Sequence, residues 1–422
     1  MKLHLIFLLA IFCGCIGAQT KSNVITLDQA IQEATGGNLD LAAARYSVRV
    51  AEARQITARL RPNPLFTISA DHLDALGTGF NLANAAGPPE YAVRTDFIFE
   101  RGGKRAARME LAGVEREVAD HHVKDAARRL VFEVEGSFVD VQLAKERLVL
   151  AQDNQRTLNA LVNINGERVR TGDLAGVELE RSRLAAMQYD TAVKQAQLQV
   201  RDAKLRLQAL LGRRDFDANF DVTGPIRRDM APVSLEDLRK NAYANRPDLL
   251  GVRQGQIRNQ IELRLQMAQG KVDYDLGVEY RRQQGINGTG NMLGFFFMTP
   301  IPLFNRNQGE IARAQHESAQ ALAQLRAHEA RVNAEITSAW EQYSTSRSLL
   351  EDIEQRMLDR AKDVRNTTEY SYRRGEASLI EFLDAQRAFN EVMQSYNEAR
   401  AGYARSLYLI DTVAARPLVA TP

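Results

Sequence analysis

Residues Val272 to Arg281 read VDYDLGVEYR. Even positions carry Val272, Tyr274, Leu276, Val278 and Tyr280, whereas odd positions carry Asp273, Asp275, Gly277, Glu279 and Arg281. A period of two with one apolar face is the mark of a β-strand. The same alternation sets Phe66, Ile68 and Ala70 against Thr67, Ser69 and Asp71, and Tyr91, Val93, Thr95, Phe97 and Phe99 against Ala92, Arg94 and Asp96. A fourth stretch, Met292 to Thr299, contains Phe295-Phe296-Phe297 and alternates less cleanly. The Gly- and Asn-rich segments GTGFNLANAAGPP and QQGINGTGN join the strands of each pair. Such hairpins either lay one face on a soluble core or form the wall of a transmembrane barrel, whose strands are about 9–11 residues long. The rest of the chain decides between the two. It reads as long amphipathic helix, so no other sequence supplies a core, and the reading is a barrel wall. Four strands do not close around a lumen, so several chains contribute and the protein oligomerises.

Outward from the strands, prolines punctuate the chain. None lies between Pro89 and Pro225 or between Pro302 and Pro417. Interior proline breaks helices, so these tracts can hold very long ones. Arg101 to about Arg170 and Asn305 to about Arg374 are two such helices, each about 100 Å long at ~1.5 Å per residue. In the second, Val332, Ile336, Ala339, Tyr343, Ser346, Leu350, Ile353, Met357 and Val364 follow alternating steps of three and four, a heptad seam. Past Gly172 and Gly375 the chain returns antiparallel as helix. The order repeats: ITLDQAIQEATGGNLDLAAAR from Ile25 aligns without gaps with VSLEDLRKNAYANRPDLLGVR from Val233. RVRTGDLAGVELERSRLA likewise aligns with YRRGEASLIEFLDAQRAF. Each half is read as helix, strand, strand, long helix, turn and returning helix.

The chain has 422 residues, one Trp and 26% charged residues. Formal charge is +2, which excludes a polyanion signal and with it a nucleic acid partner. MKLHLIFLLAIFCGCIGAQT has the layout of a secretory signal peptide, with cleavage after Ala18. Cys15 is the alternative start, as a lipidated residue, although Phe12 is unfavourable three positions ahead of it. Both cysteines precede Ala18, so a chain cut there has no thiol chemistry. No later segment reaches the ~18 apolar residues of a spanning helix. His121-His122 point to different faces of a helix and have no third ligand at useful spacing, so no metal site or cofactor is expected. No nucleophile–base pattern or phosphate loop points to an enzyme.

In its twofold repeat, its turns TGDLAGVELERSR and RRGEASLIEFLDAQR, and its strand-to-helix junctions FIFERGGKRAARMELA and TPIPLFNRNQGEIARAQ, the chain resembles the TolC-like outer membrane efflux family. The junctions are most similar to the branch serving heavy-metal and cation pumps. The likeness spans essentially the whole chain after residue 18. It implies a mainly α homotrimer in which four strands per chain complete a twelve-stranded outer membrane barrel, continued by a periplasmic coiled-coil tunnel. Phe66, Ile68, Tyr91, Val93, Phe97, Tyr274, Leu276, Val278 and Tyr280 then face outer membrane lipid. The organisation expected is a signal peptide at 1–18, an N-terminal segment and first repeat helix at 19–64, a hairpin at 65–99 and a long helical hairpin at 100–212. An equatorial linker at 213–232 precedes the second repeat's first helix at 233–271, its hairpin at 272–302, its helical hairpin at 303–412 and a tail at 413–422.

The same resemblance makes the glycine turns periplasmic tips. Gly172, Asp173, Gly375 and Glu376 would dock a periplasmic adaptor, joined in turn to an inner membrane RND-type pump. Glu381 and Asp384 match the acidic pore constriction, and spacing by three puts both on one helix face. Two unit charges 6 Å apart at an effective dielectric near 20 repel by roughly 3 kcal/mol, so a trimeric ring would favour cations and raise coupled pKa values. Ser378-Leu379-Ile380-Glu381 also reads as a capping box, which gives Glu381 a second reading. Tyr372 and Glu178 match a latch between helices, although Ala377 stands where a basic partner is common, and Tyr372 also fits as packing in the seam. The expectation is a passive exit duct for heavy-metal cations. Rival readings are a periplasmic coiled-coil adaptor or scaffold, and a duct for drugs or type I protein secretion.

Overall fold

The computed structural model describes residues 23–73, 75–77, 89–229, 232–285 and 288–415. The signal segment, Cys15, most of the first hairpin loop and the tail from 416 lie outside these residues. The described chain is mainly helical. It opens with β1 (Val24–Ile25), α1 (Leu27–Gly37) and α2 (Leu39–Arg59). Strands β2 (Leu65–Asp71) and β3 (Glu90–Phe99) lead to α3 (Lys104–Thr171) and α4 (Gly176–Leu210). The second half repeats the order as β4 (Asp221–Val222), α5 (Leu235–Asn245), α6 (Pro247–Gln269), β5 (Tyr274–Gly285), β6 (Gly288–Met298) and α7 (Gln308–Asp352). A π turn (Ile353–Met357), α8 (Leu358–Arg374) and α9 (Leu379–Val413) complete it.

One helix was expected at the start of each repeat, and two stand there. In the first, Asn38 leaves the helical region at φ −64°, ψ 127° and its side chain accepts from the Leu41 amide at 2.9 Å, starting α2. In the second, Pro247 lacks an amide hydrogen and crowds the residue before it, so Arg246 is extended at ψ 117°. Arg246 is buried at that break and binds Asp248 at 2.6 Å and Glu335 at 2.8 Å. Burial alone would raise the Asp248 pKa, but the Arg246 guanidinium outweighs it and holds the carboxyl at about 2.

The four long strands form one antiparallel sheet in the order β2-β3-β5-β6, so the two hairpins join across the repeat at β3 and β5. Its register keeps one set of side chains in line: Ile68 faces Val93, Val93 faces Tyr280, and Tyr280 faces Leu293. The second hairpin is longer than its sequence suggested, because the Gly-rich stretch pairs as strand up to Gly285 and Gly288. His72, just past β2, turns at φ 57° with Nδ1 3.8 Å from Glu90.

α3 has 68 residues and at ~1.5 Å each extends about 100 Å. The two repeats bury matching cores midway. Ile25, Val134, Phe138, Leu207 and Phe220 form the first, and Leu238, Val332, Ile336, Tyr343, Leu407 and Ile410 the second. The parallel β1–β4 pair lies against the first core. The linker after β4 is tied down by Lys145 to Asp221 at 3.0 Å, Gln142 to the Gly224 carbonyl at 2.9 Å and Arg227 to Asp411 at 2.6 Å.

The heptad seam holds from Val332 to Ile353 and then fails. Leu350 and Ile353 are 3% exposed, but Met357 is 45% and Val364 56% exposed. The cause is the π turn, in which the Leu358 amide donates to Ile353 O. One inserted residue rotates the downstream helix by about a quarter turn or more, so Leu358, Ala361, Arg365, Thr368 and Tyr372 take the inward positions instead.

Candidate functional site

Strand alternation places Phe66, Ile68, Tyr91, Val93, Phe97, Leu276, Val278 and Tyr280 on one face, each at least 40% exposed. Tyr274 shares that face, half-buried, with its ring 5.2 Å from Phe297. Leu293, Phe295 and Phe297 extend it onto β6. The opposite face is ionic. Arg94 binds Asp96 at 2.7 Å, and Arg281 reaches Glu279 at 2.9 Å and Glu90 at 3.5 Å. Asp71, Glu90, Asp96, Asp275 and Glu279 outnumber Arg94 and Arg281 there, leaving an acidic surface.

At the far end of the helices, both turns close the same way. Gly172 sits at φ 85° and Gly375 at φ 79°, the left-handed region that glycine enters without strain. Asp173 N donates to Arg168 O at 2.8 Å, and Glu376 N donates to Ser371 O at 2.9 Å, so Asp173 and Glu376 occupy equivalent positions after the glycines. An alanine at Gly375 would meet only the end of Arg168, at 3.4 Å. Gly375→Ala is therefore expected to cost about 1–2 kcal/mol through backbone strain alone. A chemical unfolding midpoint that does not move would contradict this.

Glu381 and Asp384 lie on the exposed side of α9, while Leu379, Phe382, Ala385 and Gln386 turn inward. Glu381 completes the capping box: its Oε2 accepts from Ser378 N at 2.6 Å, and its amide donates to Ser378 Oγ at 3.3 Å. The Ser378 backbone bond, followed by the Ser378 hydroxyl, holds the Glu381 carboxyl below its ordinary pKa. Within one chain, capping thus moves this carboxyl opposite to the rise expected from a charged ring. Asp384 is 3.6 Å from Arg387 across an exposed pair. The latch residues have other partners here. Tyr372 OH donates to Asn165 Oδ1 at 2.7 Å and its ring stacks on Phe382, whereas Glu178 binds Arg181 at 2.8 Å.

A polar ladder runs between the two helical hairpins above these tips. Gln386 donates to Asn154 at 2.9 Å and Asn390 donates to Tyr189 OH at 2.9 Å. Sequence reading passed over it. The signal was present, since Asn154, Leu158, Leu161 and Asn165 follow four-three-four spacing, a seam with polar residues at both ends.

Among the described residues, no helix is long and apolar enough to cross a membrane. The family model described as "Outer membrane efflux protein" matches residues 238–413. Cobalt-zinc-cadmium resistance protein CzcC of Cupriavidus metallidurans is 24% identical over 88% of this chain and 85% of its own. Pyoverdine export outer membrane protein OpmQ of Pseudomonas putida is 26% identical over 92% of this chain and 79% of its own. The outer-membrane channel OprN shares the fold, with a TM-score of 0.76 at 17% identity over 92% of this chain and 89% of that one.

Proposed function

Since residues 238–413 match the outer membrane efflux protein family model, we propose that the chain is the passive exit duct of a tripartite pump for heavy-metal cations. It resides in the outer membrane with a periplasmic extension, and the family is one of channels, not enzymes. The observation that carries the duct is the sheet: an exposed apolar face continuous over four strands, backed by an acidic one, at the end of helices about 100 Å long. Two edges, β2 and β6, remain for pairing with further copies, which supports a homotrimer with a closed barrel. The nine aromatic and aliphatic side chains from Phe66 to Tyr280 would then face lipid.

The cargo reading is supported by likeness to CzcC and by charge. Carboxylates outnumber arginines on the inner strand face, and Glu381 and Asp384 stand exposed at the tip. Cations passing such a path lower its electrostatic energy, whereas anions raise it. Gly172, Asp173, Gly375 and Glu376 are the proposed docking points for a periplasmic adaptor coupled to an RND-type inner membrane pump. Tyr372 and Glu178 would act as a latch only by exchanging Asn165 and Arg181 for each other. OpmQ, named for pyoverdine export, supports the second reading of a duct for organic cargo.

Glu381→Gln combined with Asp384→Asn is expected to reduce cation selectivity by several-fold in planar bilayers under a salt gradient. An unmoved reversal potential removes the acidic pair from the path. Deletion of the gene should sensitise cells to divalent heavy metals, and unaltered tolerance together with intracellular retention of an organic compound would transfer the cargo to that compound.

A further inference from the structure

The chain carries almost no net charge, yet its cations are not evenly spread. Where the sheet meets the helices, at residues 59–64, 100–108, 269–273 and 299–308, eight cationic side chains stand against two carboxylates. Both carboxylates are occupied within the chain: Glu100 binds Arg108, and Asp273 binds Lys104 at 2.7 Å. Arg61, Lys271 and Arg306 are exposed and have no ion-pair partner among the described residues.

Two clefts open at this level, one near each edge of the sheet. A cleft of about 660 Å³ is lined by Arg61, Pro62, Pro64 and Arg105 together with Phe97 and Phe99 of the exposed apolar face. The second, of about 490 Å³, combines Lys104, Lys271 and Arg306 with Ile301 and Phe304. Its loop is firmly held, since a Cβ on Gly270 would lie 2.7 Å from Arg306 O and Asn307 donates to Gln266 O at 2.8 Å. That fixed loop nevertheless leaves Ile301 76%, Leu303 67% and Phe304 91% exposed.

Cations and aromatic side chains at the margin of a lipid-facing surface suit a phosphate headgroup with its acyl chains lying against the apolar wall. The helices are periplasmic, so this margin lies at the periplasmic leaflet. We propose that the two clefts bind anionic phospholipid of that leaflet and fix the depth of the duct in the membrane. Charge complementarity and continuity with the apolar face favour this occupant over a second copy of the chain. The inference rests on the sheet's seat in the bilayer and not on the cargo.

The assembled protein in nanodiscs of phosphatidylethanolamine with one fifth phosphatidylglycerol, released gently for native mass spectrometry, tests it. Wild type should retain phosphatidylglycerol over phosphatidylethanolamine by on the order of tenfold. Arg61→Gln with Arg105→Gln, and separately Lys271→Gln with Arg306→Gln, should each reduce that preference several-fold. Arg360→Gln with Lys362→Gln, an equal charge change far along α8, should not. Equal retention of both lipids by wild type, or an equal drop in the remote variant, overturns the proposal while leaving the duct intact. A protein that enters no nanodisc and takes no lipid overturns both.

Discussion

Val278→Arg should prevent folded protein from accumulating in the outer membrane. Val278 lies mid-sheet on the exposed apolar face, opposite Thr95 and Phe295. A lipid-facing cation near the bilayer midplane costs roughly 2–4 kcal/mol, and an assembly of three chains would incur it three times. The total, roughly 6–12 kcal/mol, is comparable to the whole stability margin of about 5–15 kcal/mol. Ser69→Arg adds the same charge to the other face, opposite Ala92 and flanked by Glu90 and Arg94, where ions already sit. It should leave heat-modifiable oligomers in membrane fractions near wild-type amounts. Equal accumulation of both variants would mean that the apolar face does not meet lipid.

Glu135→Gln should act oppositely, by stabilising the protein. Glu135 is 5% exposed in the middle of α3, and its Oε2 has no hydrogen-bond partner among the described residues. Burial first, and Asp411 second, push its pKa up to about 8, against the pull of Arg227. A raised folded pKa means that the folded chain binds the proton more tightly than the unfolded one. Stability is therefore full below the unfolded value near 4.5 and falls as pH rises to about 8. Glutamine keeps the shape and removes the ionisation, which should add up to about 4 kcal/mol per chain at pH 8 and little at pH 4. Thermal unfolding across that range would show a flatter profile for the variant. A parallel shift at every pH would instead indicate a packing effect, unrelated to titration.

How much of the fold was legible in the sequence varies by element. Strand faces were readable because a side chain's side of a strand follows from parity alone, and no neighbour can alter it. Long helices and their turns were readable for a similar reason: missing prolines permit them, and Gly172 and Gly375 end them. Glu381 as a cap was equally local, since Ser378 lies three residues away. The π turn was not readable, because Ile353 to Met357 contains no residue that forbids an ordinary turn. In the folded chain its Glu354 binds Arg228 of the linker at 2.8 Å and lies near Tyr396 of α9, contacts that local sequence does not show.

Asn38 and Arg246 show the boundary within one repeat. Pro247 announces its break, but Asn38 also occurs inside helices, and its capping bond to Leu41 needed the folded backbone. Glu135 is the clearest case of what only tertiary structure decided. In sequence it is one acid among many on a long helix. Its high pKa arises first because packing buries it and second because α9 brings Asp411 near it, while Arg227 of the linker, also more than 90 residues away in the chain, pulls the other way. Sequence alone determined periodicity, and so which residues share a face; the meeting of distant elements determined which of those residues are charged, paired or left to lipid, since desolvation and Coulomb energies depend on distances through space that periodicity does not encode.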